Sequence, residues 1–318
     1  MFLTVISFLL VALLNIISYN FEANKIRKVA KILHNDKIKP PGYFQHWKRY
    51  HDETSLVYYK THVKHNGFRK PVGLMYKKKP IWLFGCSFVY GVDVAKGNPP
   101  DSQIFSAVLS EYTKRPVYNR AFPAWGVQHM LYQLQEGEIY KELPAPEFVI
   151  FTFIPDHARR LNKITYGFWN DGAYLRYTLK DGKLKEESPI LEPLWKMYSV
   201  KALLSYLDYY VYGSSKNRDK NFDLIESMFI ASRKEIDSHY KNVKFVILKY
   251  KGADDFDPWY VDTNRWGELE KQGFIVLRAE ELAGNDLLDR KYLAGDEYHP
   301  TRQAWEVVVP ELSTKLEL

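Results

Sequence analysis

The chain has 318 residues, 46% hydrophobic and 26% charged, with 45 Lys and Arg against 38 Asp and Glu for a formal charge of +7. That apolar share excludes wholesale disorder, and the single Cys excludes a disulfide framework and any Cys-based zinc module. Basic residues are scattered, with only short clusters such as Lys77-Lys78-Lys79, which argues against a nucleic-acid partner and fits attraction to an anionic membrane surface or envelope polymer.

Residues 1–19 are nearly all apolar, broken by Thr4, Ser7, Asn15 and Ser18. At about 1.5 Å per residue they reach about 28 Å as a helix, close to the roughly 30 Å of a bilayer core. No Lys or Arg precedes them, and the best cleavage candidate, Ala23, has Phe21 two residues upstream in place of a small residue. The segment therefore reads as an uncleaved transmembrane anchor and not as a signal peptide. Lys25, Arg27, Lys28 and Lys31 follow it, and the positive-inside rule would keep them cytoplasmic. Residues 20–79 read as an approach segment, with Pro40-Pro41-Gly42 and four His (His46, His51, His62 and His65). Their spacings do not bring two ligands together on one short helix, so no metal is expected.

From residue 80 the pattern changes to strands alternating with helices. Ile81–Phe84 is a short apolar run ending in Gly85, the form of a buried parallel strand. Asp101 or Ser102 can cap a helix running to Lys114, with Ile104, Phe105, Val108 and Leu109 on its inner face. Further strands are predicted at 116–119, 148–154, 243–250 and 274–277, and helices at 126–137, 221–240 and 266–271. A closing helix over 301–316 is expected to end or kink at Pro310. The stretch 163–215 interrupts the alternation: Asn170-Asp171-Gly172 and Lys180-Asp181-Gly182 are hairpin turn signals, followed by a helix over 193–211. Alternation of this kind predicts an α/β fold, a three-layer α/β/α sandwich on a parallel five-stranded sheet, with the 163–215 stretch as an insertion.

Two places carry chemistry. Ser87, in Gly85-Cys86-Ser87, directly follows the first strand and so sits at the carboxyl edge of the sheet, where open α/β sheets bind ligands. Asp296 and His299 lie three apart, just before the last helix. A serine nucleophile needs a base for its hydroxyl and a carboxylate to fix the tautomer of that base, and Asp296 and His299 can supply both.

Together these residues resemble the SGNH, or GDSL-like, hydrolase family, whose nucleophile follows the first strand and whose D-x-x-H pair lies near the C-terminus. The resemblance extends to Asn66-Gly67-Phe68-Arg69, like an N-x-x-G-F-R lead-in, to Asn119, Gly126 and Gln128, like an N-x-G-x-x-G-x-x-x-Q region, and to 153–156, the place of the third block. It covers roughly 66–160 and 243–318. It implies a flavodoxin-like sandwich with Ser87 as nucleophile, His299 as base and Asp296 as orienting acid, and it requires no cofactor. Three positions depart from the pattern. Cys86 replaces the Asp of G-D-S, and the register leaves Ser87, not Cys86, as the nucleophile. Ala121 replaces a Gly but keeps its N–H. Pro155 stands where the family has an Asn that holds the oxyanion, and it offers neither an amide side chain nor an N–H. Asn119, His157 and Arg159 are candidate substitutes, beside the backbone of Ala121 and Gly126. Alternatively, Arg159 and Arg160 grip an anionic substrate group, or simply begin a solvated basic helix.

The resemblance implies an esterase or O-acyltransferase acting on ester-linked acyl groups. With an anchor, a basic surface and 24 Tyr and 8 Trp, envelope glycans are a fitting substrate, which would put the domain on the extracytoplasmic side against the flanking charges. The competing reading keeps the fold and drops catalysis: a glycan-binding or scaffold protein of an envelope assembly, for which Pro155 speaks.

Overall fold

A computed structural model describes residues 68–91, 104–122, 125–159, 176–181, 183–187, 215–251, 263–284, 287, 289–294 and 299–318. Outside them fall the 1–19 segment, the four approach-segment histidines, Asp101 and Ser102, the Asn170-Asp171-Gly172 turn, the 193–211 helix, Arg160 and Asp296. Among the described residues no helix is long and apolar enough to cross a membrane.

In chain order the elements are β1 (Ile81–Phe84), α1 (Ser87–Tyr90), α2 (Phe105–Thr113), β2 (Val117–Asn119), α3 (Val127–Glu136), α4 (Ile139–Glu142), β3 (Phe148–Phe153), α5 (Asp156–Arg159), β4 (Arg176–Lys180), β5 (Lys183–Glu187), α6 (Ser215–His239), β6 (Lys244–Lys249), α7 (Thr263–Lys271), β7 (Ile275–Arg278), α8 (Ala279–Ala283) and α9 (Arg302–Leu316). Five strands form one sheet in the order β2-β1-β3-β6-β7, every pair parallel. With the separate β4–β5 hairpin set aside, this is the flavodoxin-like doubly wound order.

Alternation along each strand explains why the strands read as unbroken apolar runs. Ile81 and Leu83 face a core shared with α2, α8 and α9, where Phe105, Leu282 and Trp305 pack. Trp82 and Phe84 face the other core, with α3, α6 and α7 supplying Leu131, Phe229 and Trp266. A strand covered on both faces has no solvent side to keep polar. Each such Val, Leu, Ile or Phe stabilises the fold by about 1.5–3 kcal/mol when fully buried.

Three elements differ from their sequence pattern. Helix α9 runs through Pro310 without ending. Its cost is the bond that an N–H at 310 would give to the carbonyl of Glu306, and Glu306 is exposed, so water can satisfy that group. The inward residues Trp305, Val308, Val309, Leu312 and Leu316 hold the helix on both sides of the proline. Helix α2 begins with Ile104 at its N-cap and no side-chain cap. Helix α6 starts at Ser215, six residues before the expected 221, because its apolar stripe begins only at Phe222 and its first turns are polar in sequence.

The last part of the approach segment belongs to the folded body. Val72 bridges antiparallel to Val117, the guanidinium of Arg120 lies 3.8 Å over the Phe68 ring, and Lys78 Nζ donates to Thr113 O at 3.1 Å. The hairpin predicted at Lys180-Asp181-Gly182 is present as β4 and β5, paired antiparallel from Lys180↔Lys183 outward.

Candidate active site

The turn after β1 is as tight as the chain allows. Strand β1 ends at Phe84, α1 begins at Ser87, and Gly85 has φ +153°. A Cβ on Gly85 would come within 2.6 Å of Val89 Cγ2, so only glycine lets α1 fold back over the strand end. Cys86 is fully buried in the apolar core, leaving Ser87 at the carboxyl edge of the sheet.

His299 reaches the same point from 212 residues further along the chain, with its Nε2 2.7 Å from Ser87 Oγ. With the imidazole protonated on Nδ1, the hydroxyl donates to Nε2. The chain around His299 is fixed at both ends: Ala294 N donates to His299 O at 2.7 Å, Thr301 N to Tyr292 O at 2.8 Å, and Leu293 bridges Pro300. The Phe88 ring packs against the imidazole at 5.1 Å, and Tyr250 backs Phe88 at 5.4 Å. Asp296 falls between Ala294 and His299 in sequence and outside the described residues. Burial pushes the Tyr250 phenol well up, with the charge of Glu280 adding to it, and its hydroxyl has no partner among the described residues.

The donors singled out for the oxyanion are largely committed elsewhere. Ala121 N donates to Asn119 Oδ1 at 3.1 Å, and Gly126 N to His129 Nδ1 at 3.1 Å. The Asn119 amide donates to Val89 O at 2.9 Å. His157 is buried, its ring 5.3 Å from Phe151 and 5.5 Å from Phe153, and its Nδ1 accepts from Ile154 N at 3.4 Å. Phe151 and Phe153 line the opposite core from Phe88, so the structure sets His157 on the other face of the sheet from the Ser87–His299 pair. Arg159 closes α5, immediately after β3. Pro155 is buried between β3 and α5, its carbonyl accepting from Ala158 N at 3.1 Å. Ser87 itself keeps a backbone N–H in the first turn of α1, where a helix has no internal acceptor to offer.

Two residues of the family-like motifs had no assigned role in the sequence. A Cβ on Gly126 would meet Gln128 Oε1 at 2.6 Å, so the Gln128 amide folds back over that glycine, and its oxygen has no partner among the described residues. Arg69 Nε donates to Tyr90 O at 2.9 Å. Only the spacing in the motifs marked either residue. Among the described residues no group of three His, Cys, Asp or Glu could hold a metal ion.

No protein-family model matches the chain, and no curated protein matches it. Solved structures similar to it include a lipolytic protein of the G-D-S-L family from Desulfitobacterium hafniense DCB-2, with 10% identity and a TM-score of 0.45 over 74% of this chain and 99% of that one. A lipase from a goat rumen metagenome gives 11% and 0.46 over 74% and 97%. An acetyl xylan esterase from the rumen bacterium Butyrivibrio proteoclasticus gives 12% and 0.42 over 76% and 65%. Identities this low leave the activity to the residues of the site. By its own sheet order and layers the described chain is a flavodoxin-like α/β/α sandwich with a serine and a histidine in contact at the carboxyl edge.

Proposed function

We propose that this chain is a membrane-anchored serine esterase or O-acyltransferase of the SGNH type, acting on ester-linked acyl groups. The observation that carries the reading is the 2.7 Å separation of Ser87 Oγ and His299 Nε2, within reach for direct proton transfer. Ser87 Oγ attacks the ester carbonyl while its proton passes to Nε2. The tetrahedral oxyanion takes the N–H of Ser87, and collapse expels the alcohol, which leaves with the proton from His299. Water or a sugar hydroxyl then gives its proton to Nε2 and attacks the acyl-serine, releasing acid or acylated acceptor and restoring Ser87. In this scheme Asp296 holds the imidazole in the tautomer with Nδ1 protonated and stabilises its cation. An anchor, a net positive charge and many aromatic residues suit an acylated envelope glycan, with the domain outside the cytoplasmic membrane.

A fluorophosphonate probe tests the reaction class. Labelling of the wild-type protein that Ser87→Ala abolishes is the expected result. Folded protein that is never labelled would sink the enzyme reading and favour a scaffold or glycan-binding role, for which buried Pro155 and the committed amides of Ala121 and Gly126 speak. Membrane attachment is tested separately. Full-length protein should resist extraction from membranes by salt and carbonate, and digestion by external protease in spheroplasts reports the side.

A further inference from the structure

We propose that Arg69 is a positioning residue for the nucleophile, gripping the turn that carries Ser87 from outside the sheet; the proposal rests on the reading of Ser87 as nucleophile. Helix α1 is a single turn of four residues. A turn of that length is not stable alone, and its last carbonyls have no donors within the helix. Gly91 N closes onto Ser87 O at 2.9 Å, which leaves the next carbonyls to find partners elsewhere. Val89 O receives the Asn119 amide at 2.9 Å. Tyr90 O receives Arg69 Nε at 2.9 Å, and Gly91 O receives Arg69 Nη2 at 3.4 Å. The same guanidinium lies 4.5 Å from the centre of the Tyr90 ring. Three successive carbonyls are therefore held by two side chains, one from the end of β2 and one from the segment ahead of β1.

A guanidinium suits this task because its N–H groups lie in one plane at fixed spacing and keep their charge, so two neighbouring carbonyls and an aromatic face can be held at once. The consequence falls on Ser87. His299 is held by the bond from Ala294 N to its carbonyl, and it meets α1 through the Phe88 ring. The two halves of the pair are thus carried by separate segments that meet at Phe88 and at the pair itself, and their 2.7 Å separation survives only if each is held. Releasing Tyr90 and Gly91 lets the short turn rock about Gly85 and moves the hydroxyl away from Nε2. Displacements of about 1 Å in such geometry can cost about a hundredfold in rate.

The test uses the full chain as wild type, Arg69→Ala, Arg69→Lys and Arg233→Ala, a remote surface variant. Fluorophosphonate labelling rate at Ser87, kcat and KM for a small soluble ester, and melting temperature are read for each. Arg69→Ala should lose about tenfold to a hundredfold in labelling rate and kcat with little change in KM, at temperatures where it is fully folded. Arg69→Lys should recover only part of the loss, since one ammonium cannot span both carbonyls in a plane. Arg233→Ala should label like wild type. Folded Arg69→Ala labelling within twofold of wild type would overturn the proposal, as would a deficit that vanishes on cooling together with the stability loss. If Arg69→Ala does not fold, Arg69→Lys decides alone, and a wild-type rate for it overturns the two-carbonyl grip. Wild-type protein that never labels would instead defeat the nucleophile reading, a result distinct from labelled wild type and equally labelled Arg69→Ala.

Discussion

The two ends of the central sheet solve opposite problems. At the amino end, residues at or just ahead of the starts of four strands are stitched by main-chain bonds: Ile81 N to Pro116 O, Glu147 N to Pro80 O and Lys244 N to Glu147 O, all at 2.9 Å. Arg115 completes the seam with 2.7 Å to Glu147 Oε2 and 3.0 Å to Lys79 O. At the carboxyl end the polar groups come from remote segments and are joined by side chains, Ser87 to His299 and the Asn119 amide to the backbone carbonyl of Val89. Several there have no partner among the described residues: Gln128 Oε1, Thr152 Oγ1 and the Tyr250 hydroxyl. The amino end spends its main-chain groups on fastening strands, with Arg115 Nε left without a partner among the described residues, while the carboxyl end holds the side-chain pair that a reaction needs.

Five substitutions probe that contrast. The largest effect is expected at the carboxyl end: Ser87→Ala or His299→Ala should each cut ester hydrolysis by about a thousandfold or more while the melting temperature hardly moves, because the two groups act as a unit. A parallel loss of fold would erase the division of labour. Next comes Glu147→Ala at the amino end, which strands a buried guanidinium. Glu147 is about one-third exposed, so the loss in urea denaturation should be about 2 kcal/mol, below that of a fully buried pair. Probe labelling of this variant should be unchanged.

A smaller change should come from Pro155→Asn. Asparagine is a favoured residue at a helix start and introduces an amide just after β3, so kcat should rise by about tenfold if an oxyanion donor limits the rate. An unchanged kcat in a folded variant would remove Pro155 from the account of the rate. The smallest effect is expected for Tyr250→Phe, which deletes a buried hydroxyl that has no partner among the described residues and should add about 1 kcal/mol at neutral pH. The sign of its pH dependence is set by burial, which raises the folded phenol above its unfolded value. The stability tied to this proton is intact below the unfolded value of about 10 and is lost as pH rises beyond it, so the gap between variant and wild type should widen in alkali. A gap constant with pH in thermal melts would contradict the raised phenol.

How far the sequence could be read depended on the range of the interaction. The strands were legible because both faces are buried, as in Ile81–Phe84 and Phe148–Phe153, and a run of apolar residues suffices to mark them. Ser87 and His299 were legible as a pair only through motif order, since 212 residues separate them. The fate of the Ala121 and Gly126 amides was not, because each is decided by where one side chain, Asn119 or His129, turns in space. Pro310 does not end its helix for a related reason: the local rule against proline is outweighed by inward residues on both sides of it. Arg69 left no signal beyond its place in a short motif, as its partners are backbone carbonyls without sequence identity.

The bridge between Val72 and Val117 has a consequence for how the molecule avoids its own kind. Strand β2 is an outer strand of only three residues, and the outer side of such a strand carries N–H and C=O groups that could accept another chain. Val72 N donates to Val117 O at 3.2 Å and Val117 N to Val72 O at 3.0 Å, so an antiparallel residue plugs the rim of a parallel sheet and breaks its repeat. A chain cut back to residue 80 would lose that plug and expose a short, apolar template for intermolecular strand pairing.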